Sequence, residues 1–277
     1  MSGSGTTVQD HYTRRDLGAA ILSALREAGK DIDALTPDDL APVDEFHIRG
    51  REATAEVAEM AGIAAEHHVL DVGCGIGGPS RHLAAAFGCR VTGLDLTEEF
   101  CRVAQMLAER TGLGDRVTYR HGDALAMPFE KASFDVVWTQ HAAMNIADKA
   151  TLYAEMHRVL KPGGRLALYD ILAGPGGPAH FPVPWAGEPS ISFLVTPEEM
   201  RMHLEAAGFE VAAWRDVTAP ALRWLHERAR QAAAAGRPPP NALGIMFGAE
   251  AKTLARNTLR NLEEDRIVLV QAVLRKA

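Results

Sequence analysis

The chain has 277 residues, 47% of them apolar and 23% charged, enough to bury a core of ordinary depth in one large domain or two small ones. Its 29 basic and 36 acidic side chains leave a net charge of −7 without the clustered basic face that tracks phosphates, which sets long nucleic acid aside as a partner. Cys74, Cys89 and Cys101 are too few for a disulfide framework, the N-terminal stretch lacks an apolar signal-peptide core, and no apolar run reaches the ~18 residues of a membrane span, so the expected location is the cytoplasm.

Leu17, Ala20, Ile21, Ala24 and Leu25 recur at helical spacing, predicting a helix from Asp16 to Ala28 that Gly29 ends. A loop with Pro37 and Pro42 is expected next, then a helix from Arg51 to Ala61. The period then changes. Val69–Val72 reads as a strand that stops in glycines, followed by a helix from Pro79 to Phe87. Arg90–Asp95 repeats the strand signal, and Thr97 is a candidate N-cap for a helix from Glu98 to Arg110, with Gly112 just past its end. Strands are expected at Val117–Arg120 and Phe134–Trp138, then a helix from Lys149 to Leu160. Pro162-Gly163-Gly164 turns into a strand at Arg165–Tyr169. Ala173–Pro189 is rich in glycine and proline and reads as a long loop. A helix from Pro197 to Ala207 and a strand at Phe209–Trp214 follow. A largely helical insertion at 219–263, interrupted at Gly236–Pro240, precedes a closing strand from Arg266 to Val273. QAAAAG is the one low-complexity patch and reads as surface helix. This alternation predicts a parallel sheet with helices on both faces.

The chemistry concentrates in VLDVGCGIGG, residues 69–78. Glycines directly after a strand let the backbone approach a ligand and turn the next helix N-terminus toward it. The acid before them, Asp71, would repel a pyrophosphate and suits an α-ammonium or a sulfonium. A structural glycine turn without a ligand is the plainer alternative. Asp95 ends the second strand about twenty residues on, where a carboxylate can accept from both hydroxyls of a ribose. Read alone, it would serve equally as a helix-capping acid. Gly122-Asp123-Ala124, after the third strand, can meet an adenine amino group.

Together these stretches resemble the class I S-adenosylmethionine-dependent methyltransferases. VLDVGCGIGG is similar to that family's first motif, GLDL to its second and HGDALAMPF to its third. FDVVWTQHAAMNI and LKPGGRLAL resemble its fourth-strand region and the turn into the fifth strand. Within the class the chain resembles the small-molecule branch of ubiquinone/menaquinone C-methyltransferases and sarcosine/dimethylglycine N-methyltransferases, and DEFHIRGREATAEVAEMAGI shares that likeness. The resemblance implies a Rossmann-like seven-stranded sheet, its last strand antiparallel, with helices on both faces and a helical cap. Residues 1–64 would form an N-terminal helical flap and 65–277 the core domain, with 219–263 as its lid insertion. The implied cofactor is S-adenosylmethionine. Asp71, Gly73 and Gly75 would line its methionine part, with Gln140 alongside. Asp95 and Leu96 would hold the ribose and flank the adenine, which Asp123 and Ala124 would contact. The implied activity is methylation of a small molecule at N, C or O. The alternative is a methyltransferase-fold enzyme that catalyses another reaction, such as a cyclisation, with the sulfonium as a structural ligand.

His141 follows the fourth strand, and its functional reading is a base or acceptor-orienting residue. The alternative is a histidine bonded to backbone behind the site. Tyr12 and His47 lie in the flap, where they line the acceptor or simply pack the lid. Trp185 and Phe247 are candidate walls of an apolar acceptor pocket, with ordinary helix packing as the alternative for Phe247. Arg49, Arg51 and Arg223 either clamp an anionic acceptor or are solvated; Arg49 could also meet the cofactor carboxylate. No HxxxH or CxxC pattern occurs, and His67-His68 begins a strand with side chains on opposite faces, so no metal is implied. The expected partner is a small-molecule substrate, with a homodimer left open.

Overall fold

In the computed structural model, which describes residues 7–12, 16–234 and 240–276, the described strands are β1 (His68–Val72), β2 (Arg90–Asp95), β3 (Val117–His121), β4 (Phe134–Gln140), β5 (Leu160–Ala173), β6 (Phe209–Asp216) and β7 (Ile267–Lys276). They form one sheet in the order β3-β2-β1-β4-β5-β7-β6. The first five pair in parallel, and β7 runs antiparallel to both β5 and β6.

Before the sheet come α1 (Val8–Tyr12), α2 (Leu17–Glu27), α3 (Pro37–Asp44) and α4 (Gly50–Ala61). Between strands lie α5 (Gly78–Phe87), α6 (Glu98–Arg110), α7 (Lys149–Val159) and α8 (Pro197–Ala206). The insertion holds α9 (Thr218–Ala234), α10 (Ala242–Phe247) and α11 (Ala251–Glu263). Of the break expected at Gly236–Pro240, residues 236–239 lie outside the described residues.

Successive strand residues point to opposite faces, so each face has its own core. Val69, Val91 and Val136 pack with Val57 of α4 and Leu83 of α5, whereas Leu70, Leu94 and Val137 pack with Leu152 and Met156 of α7. A third core joins Leu17 and Ile21 of α2, Leu40 of α3 and Val103 and Leu107 of α6 to Met246 of α10. The flap and the insertion therefore share one apolar core.

Several local expectations change. The stretch expected as a loop around Pro37 and Pro42 is helical because Pro37 falls in the first turn, where its missing N–H costs nothing. Thr36 caps it: its hydroxyl accepts from Asp39 N at 3.2 Å, and the Asp39 carboxylate accepts from Thr36 N at 3.0 Å. Thr97 does sit at the N-cap of α6, yet its side chain makes no capping bond. β5 begins at Leu160, where α7 was expected to reach, and the chain loops out between Leu160 and Arg165 before pairing resumes. The helix α4 packs on β5, β7 and α5, so it belongs to the sheet layer, while α1–α3 lie outside it.

Candidate active site

The carboxyl ends of the parallel strands open into a cavity of about 450 Å³. One end is built from main chain. The N–H groups of Gly73 and Cys74 donate to Leu94 O at 2.8 and 3.1 Å, tying the glycine loop to β2. Gly73 has φ of +75°, and a methyl there would stand 2.5 Å from the Ala142 side chain. Only glycine fits that crossing. Gly75 lines the cavity, and its N–H donates to Asp95 Oδ2 at 2.9 Å while Thr97 N donates to Oδ1 at 2.8 Å. Each Asp95 oxygen keeps a lone pair for a ligand. Burial raises the pKa of Asp95, and these two N–H groups oppose the rise.

Leu96, Asp123 and Ala124 continue the wall. Leu96 is 44% exposed, an unusual state for a leucine beside a cavity. Asp123 is exposed, and its Oδ1 accepts from Leu125 N at 2.8 Å. Gln140, at the end of β4, accepts through Oε1 from Trp138 Nε1 at 3.1 Å and from the Thr54 hydroxyl at 3.3 Å. Its Nε2 is buried on the wall without a partner. Asp71 departs from expectation, because it is not on the wall. It is buried behind the loop, where its Oδ2 accepts from the Ser80 hydroxyl at 2.5 Å, and burial pushes its pKa up to about 7.

His141 follows directly, in the left-handed region at φ of 49°, with its N–H donating to Tyr169 O at 2.8 Å. A non-glycine residue there is strained, and strain of this kind gathers at functional sites. Its Nε2 is buried and unpartnered. Burial, then the nearby His47, hold its pKa well below the usual imidazole range. His47 also lines the cavity, with Nε2 2.9 Å from Gly50 O and 3.0 Å from the Thr54 hydroxyl. Burial lowers it to about 4. Both imidazoles are neutral at pH 7.

The opposite end is a lid assembled from three distant segments. The Tyr12 hydroxyl donates to Asn145 Oδ1 at 3.0 Å, and Asn145 Nδ2 donates to Trp185 O at 2.7 Å and to Ile191 O at 3.1 Å. His11 Nε2 lies 3.0 Å from Pro184 O, and its ring packs 5.5 Å from that of Phe247. Trp185 and Phe247 both face the cavity, and Trp185 is almost wholly buried. The turn carrying Asn145 is fixed from below by Lys149, whose ammonium donates to Ala143 O and Phe193 O, each at 2.8 Å, and to Ile146 O.

Some wall residues were not among those expected. Asn145 belongs to FDVVWTQHAAMNI, so the signal was present without an assigned role. Asp44 and Phe46 likewise stand in DEFHIRGREATAEVAEMAGI, and Met246 adjoins the expected Phe247, whereas Phe100, stacked on Phe46 with centroids 6.2 Å apart, carried no signal. Asp44 Oδ2 accepts from Arg81 at 2.7 Å in a fully buried pair that ties α3 to α5. The remaining oxygen of Asp44, Oδ1, is buried and unpartnered. The arginines expected as clamps do not face the cavity: Arg49 pairs with Glu52 and Glu56, Arg51 with Asp38 and Glu45, and Arg223 lines a separate surface cleft.

The wall fits the implied cofactor. A zwitterionic amino-acid tail requires an acceptor for its ammonium and a donor for its carboxylate, and Asp44 Oδ1 and Gln140 Nε2 on the wall are an unpartnered carboxylate oxygen and an unpartnered amide donor. Asp95 offers lone pairs for hydroxyls and Leu96 an exposed apolar face. Among the described residues no group of three or more His, Cys, Asp or Glu is placed to hold a metal ion, and no helix is long and apolar enough to cross a membrane.

Residues 70–168 match the methyltransferase domain family. That stretch is a methyltransferase domain, similar to those of the class I S-adenosylmethionine-dependent methyltransferases. It is 37% identical to the methyltransferase GfsG of Streptomyces halstedii over 134 residues, 48% of either protein. It is 34% identical to 27-O-demethylrifamycin SV methyltransferase of Amycolatopsis mediterranei over 186 residues, 65% of this chain and 66% of that one. It thus spans about half of the first relative and just under two thirds of the second. Among solved structures, the [4+2]-cyclase SpnF superposes with a TM-score of 0.70 at 24% identity, covering 98% of this chain and 97% of SpnF. Phosphoethanolamine N-methyltransferase 2 of Haemonchus contortus gives 0.74 at 20% identity, over 100% of this chain and 61% of that one. At these identities the structures speak for the fold, so a methylating protein and a cyclase alike are neighbours in shape.

Proposed function

We propose that the chain transfers a methyl group from S-adenosylmethionine to a small-molecule acceptor. One observation carries the reading: one cavity is lined both by Gly75, Asp95 and Asp123 and by His141, Tyr12 and Trp185. In-line methyl transfer needs both reactants aligned in one water-poor space. The cofactor supplies an electrophilic methyl on a sulfonium. Asp44 Oδ1 and Gln140 Nε2 hold its amino-acid tail, Asp95 the ribose, and Leu96, Asp123 and Ala124 the adenine; Gly73 and Gly75 let the backbone come close. His47, Tyr12, Trp185 and Phe247 shape the acceptor end. His141 Nε2 would orient an acceptor hydroxyl and take its proton during the transfer.

In this reading α1–α3 act as the flap, α4 having joined the sheet layer, and α9–α11 act as the lid; one protomer lines the cavity, so a homodimer is not required to complete it. The location is cytoplasmic, supported by three free, buried cysteines, and the net charge of −7 speaks against nucleic acid as a partner. The test uses cofactor labelled in the transferred methyl, incubated with the protein and a panel of phenols, alcohols, amines and quinols. Label in an acceptor together with demethylated cofactor supports methyl transfer. Turnover of an acceptor without label transfer would favour a cyclisation.

A further inference from the structure

Side-chain charge on the cavity wall has one sign. Asp44, Asp95, Asp123 and Asp148 reach it, and among the described residues no lysine or arginine does. Nearby cations are committed elsewhere: Arg81 to Asp44, Arg49 to Glu52 and Glu56, and Lys149 to main-chain carbonyls. The imidazoles of His47 and His141 are neutral. A phosphate or diphosphate placed here would leave water for a field of acids without a counter-cation, which is strongly unfavourable.

The acceptor end is apolar and aromatic, with Tyr12, Met144, Trp185, Leu243, Met246 and Phe247 on its surface. Its polar groups are mostly satisfied: Tyr12 is bonded to Asn145, Asn145 to two carbonyls, and Thr258 to Leu254 O at 2.9 Å. An ammonium finds no carboxylate of its own there. Asp148 is solvent-exposed, so water screens its charge, Asp95 is committed to the ribose in this reading, and the open oxygen of Asp44 belongs to a residue packed against Gly78, at the glycine-loop end. Among the described residues, the buried side-chain atom left unpartnered at this end is Nε2 of His141. On the methyl-transfer reading, we propose that the acceptor is an uncharged molecule with a largely apolar body that presents one hydroxyl to His141, and is neither a phosphate ester nor a cationic amine.

Three probes that share one ring body isolate the head group: 2-naphthol, 2-naphthyl phosphate and protonated 2-naphthylmethylamine. Each is titrated calorimetrically at pH 7 into protein saturated with S-adenosylhomocysteine, and again into protein alone. The naphthol should bind at least tenfold tighter than either charged probe. His141→Ala should weaken the naphthol about three- to tenfold, the value of one hydrogen bond, and leave the other two unchanged. Equal or tighter binding of the phosphate or the amine, or no binding by any probe, overturns the proposal. Failure of S-adenosylhomocysteine itself to bind overturns the methyl-transfer reading instead, while the ranking in protein alone still tests the head-group preference.

Discussion

The two ends of the cavity are held by different kinds of contact. At the sheet end, backbone N–H groups of Gly73, Cys74, Gly75 and Thr97 fix the loop and Asp95, and nearly every contact is between residues anchored in β1 and β2. At the lid end, α1, the turn carrying Asn145, the loop at Pro184–Trp185 and α10 meet through side-chain hydrogen bonds of His11, Tyr12 and Asn145 and through ring packing. Main-chain contacts rooted in a sheet preorganise a site, because its strands open only with the core. Side-chain contacts between distant segments can come apart with little else disturbed. The sheet end is therefore suited to one constant ligand, and the lid end to admitting and releasing another.

His141 stands at the junction, so it offers the sharpest way to break the contrast. With a hydroxyl acceptor, His141→Ala should lower kcat by ~10²–10⁴ while cofactor affinity changes little. Single-turnover rates at saturating cofactor check this, and a rate within threefold of wild type removes the base. Because its pKa lies well below 6.5, the wild-type rate should also stay level between pH 6 and 8. An acid limb centred near 6.5 would place a solvated imidazole there.

His47 gives the next largest effect, on stability. Its folded pKa is about 4 against 6.5 for the free group, so the unfolded chain binds the proton more tightly between those values. The neutral buried imidazole stabilises fully above pH 6.5, and that contribution is lost as pH falls toward 4, about 3 kcal/mol in all. Asp71 and Asp170, both raised to about 7, shift stability in the opposite direction over this range, so the wild-type curve alone is ambiguous. The difference from His47→Gln isolates the term. The stability gap between the two proteins should shrink by about 2 kcal/mol from pH 7 to 5, read by urea unfolding, and a constant gap would refute the neutral imidazole.

The same contrast explains what could be read in advance. The sheet end is written in short motifs, since a glycine loop needs glycines within a few residues and Asp95 lies only one βα unit away. The parallel sheet follows from alternation, and the antiparallel last strand from the family resemblance. The lid is not written locally. Nothing in the spacing of Tyr12, Asn145 and Trp185 relates them, and only the fold brings them together. The helix at Pro37–Asp44 was obscured because both prolines read as breakers, although the first sits where a helix tolerates it. Asp71 was misplaced for a subtler reason. A strand of period two puts neighbouring side chains on opposite faces, and the sequence does not say which neighbour faces the ligand.

Asp95 tests the sheet end with a smaller effect. Asp95→Ala removes a charged acceptor from the ribose site and releases the N–H groups of Gly75 and Thr97. Affinity for S-adenosylhomocysteine should fall at least tenfold in a calorimetric titration, on the scale of one charge-assisted bond of ~1.5–3 kcal/mol. Unchanged affinity in a folded variant would move the ribose elsewhere.

Tyr12→Phe tests the lid and should give the smallest change. Burial raises the Tyr12 pKa, so the phenol stays protonated and donates its hydrogen to Asn145 Oδ1. The variant keeps the ring, and with it the packing against His11 and Phe100 at 5.0 and 6.0 Å between centroids. What it loses is one neutral hydrogen bond between lid and turn, worth about 1 kcal/mol. Tyr12 touches no reacting atom in the proposed arrangement, so the loss acts on how often the lid is closed. If the closed form is what binds the acceptor, its apparent affinity falls in proportion to the closed population. The acceptor KM should then rise about threefold to tenfold, with kcat and affinity for S-adenosylhomocysteine near wild type. Asn145→Ala removes the same bond together with those to Trp185 O and Ile191 O, so it should raise KM further. A Tyr12→Phe variant that weakened S-adenosylhomocysteine as much as the acceptor would show that α1 belongs energetically to the sheet end, and that the two ends of the cavity are not built apart.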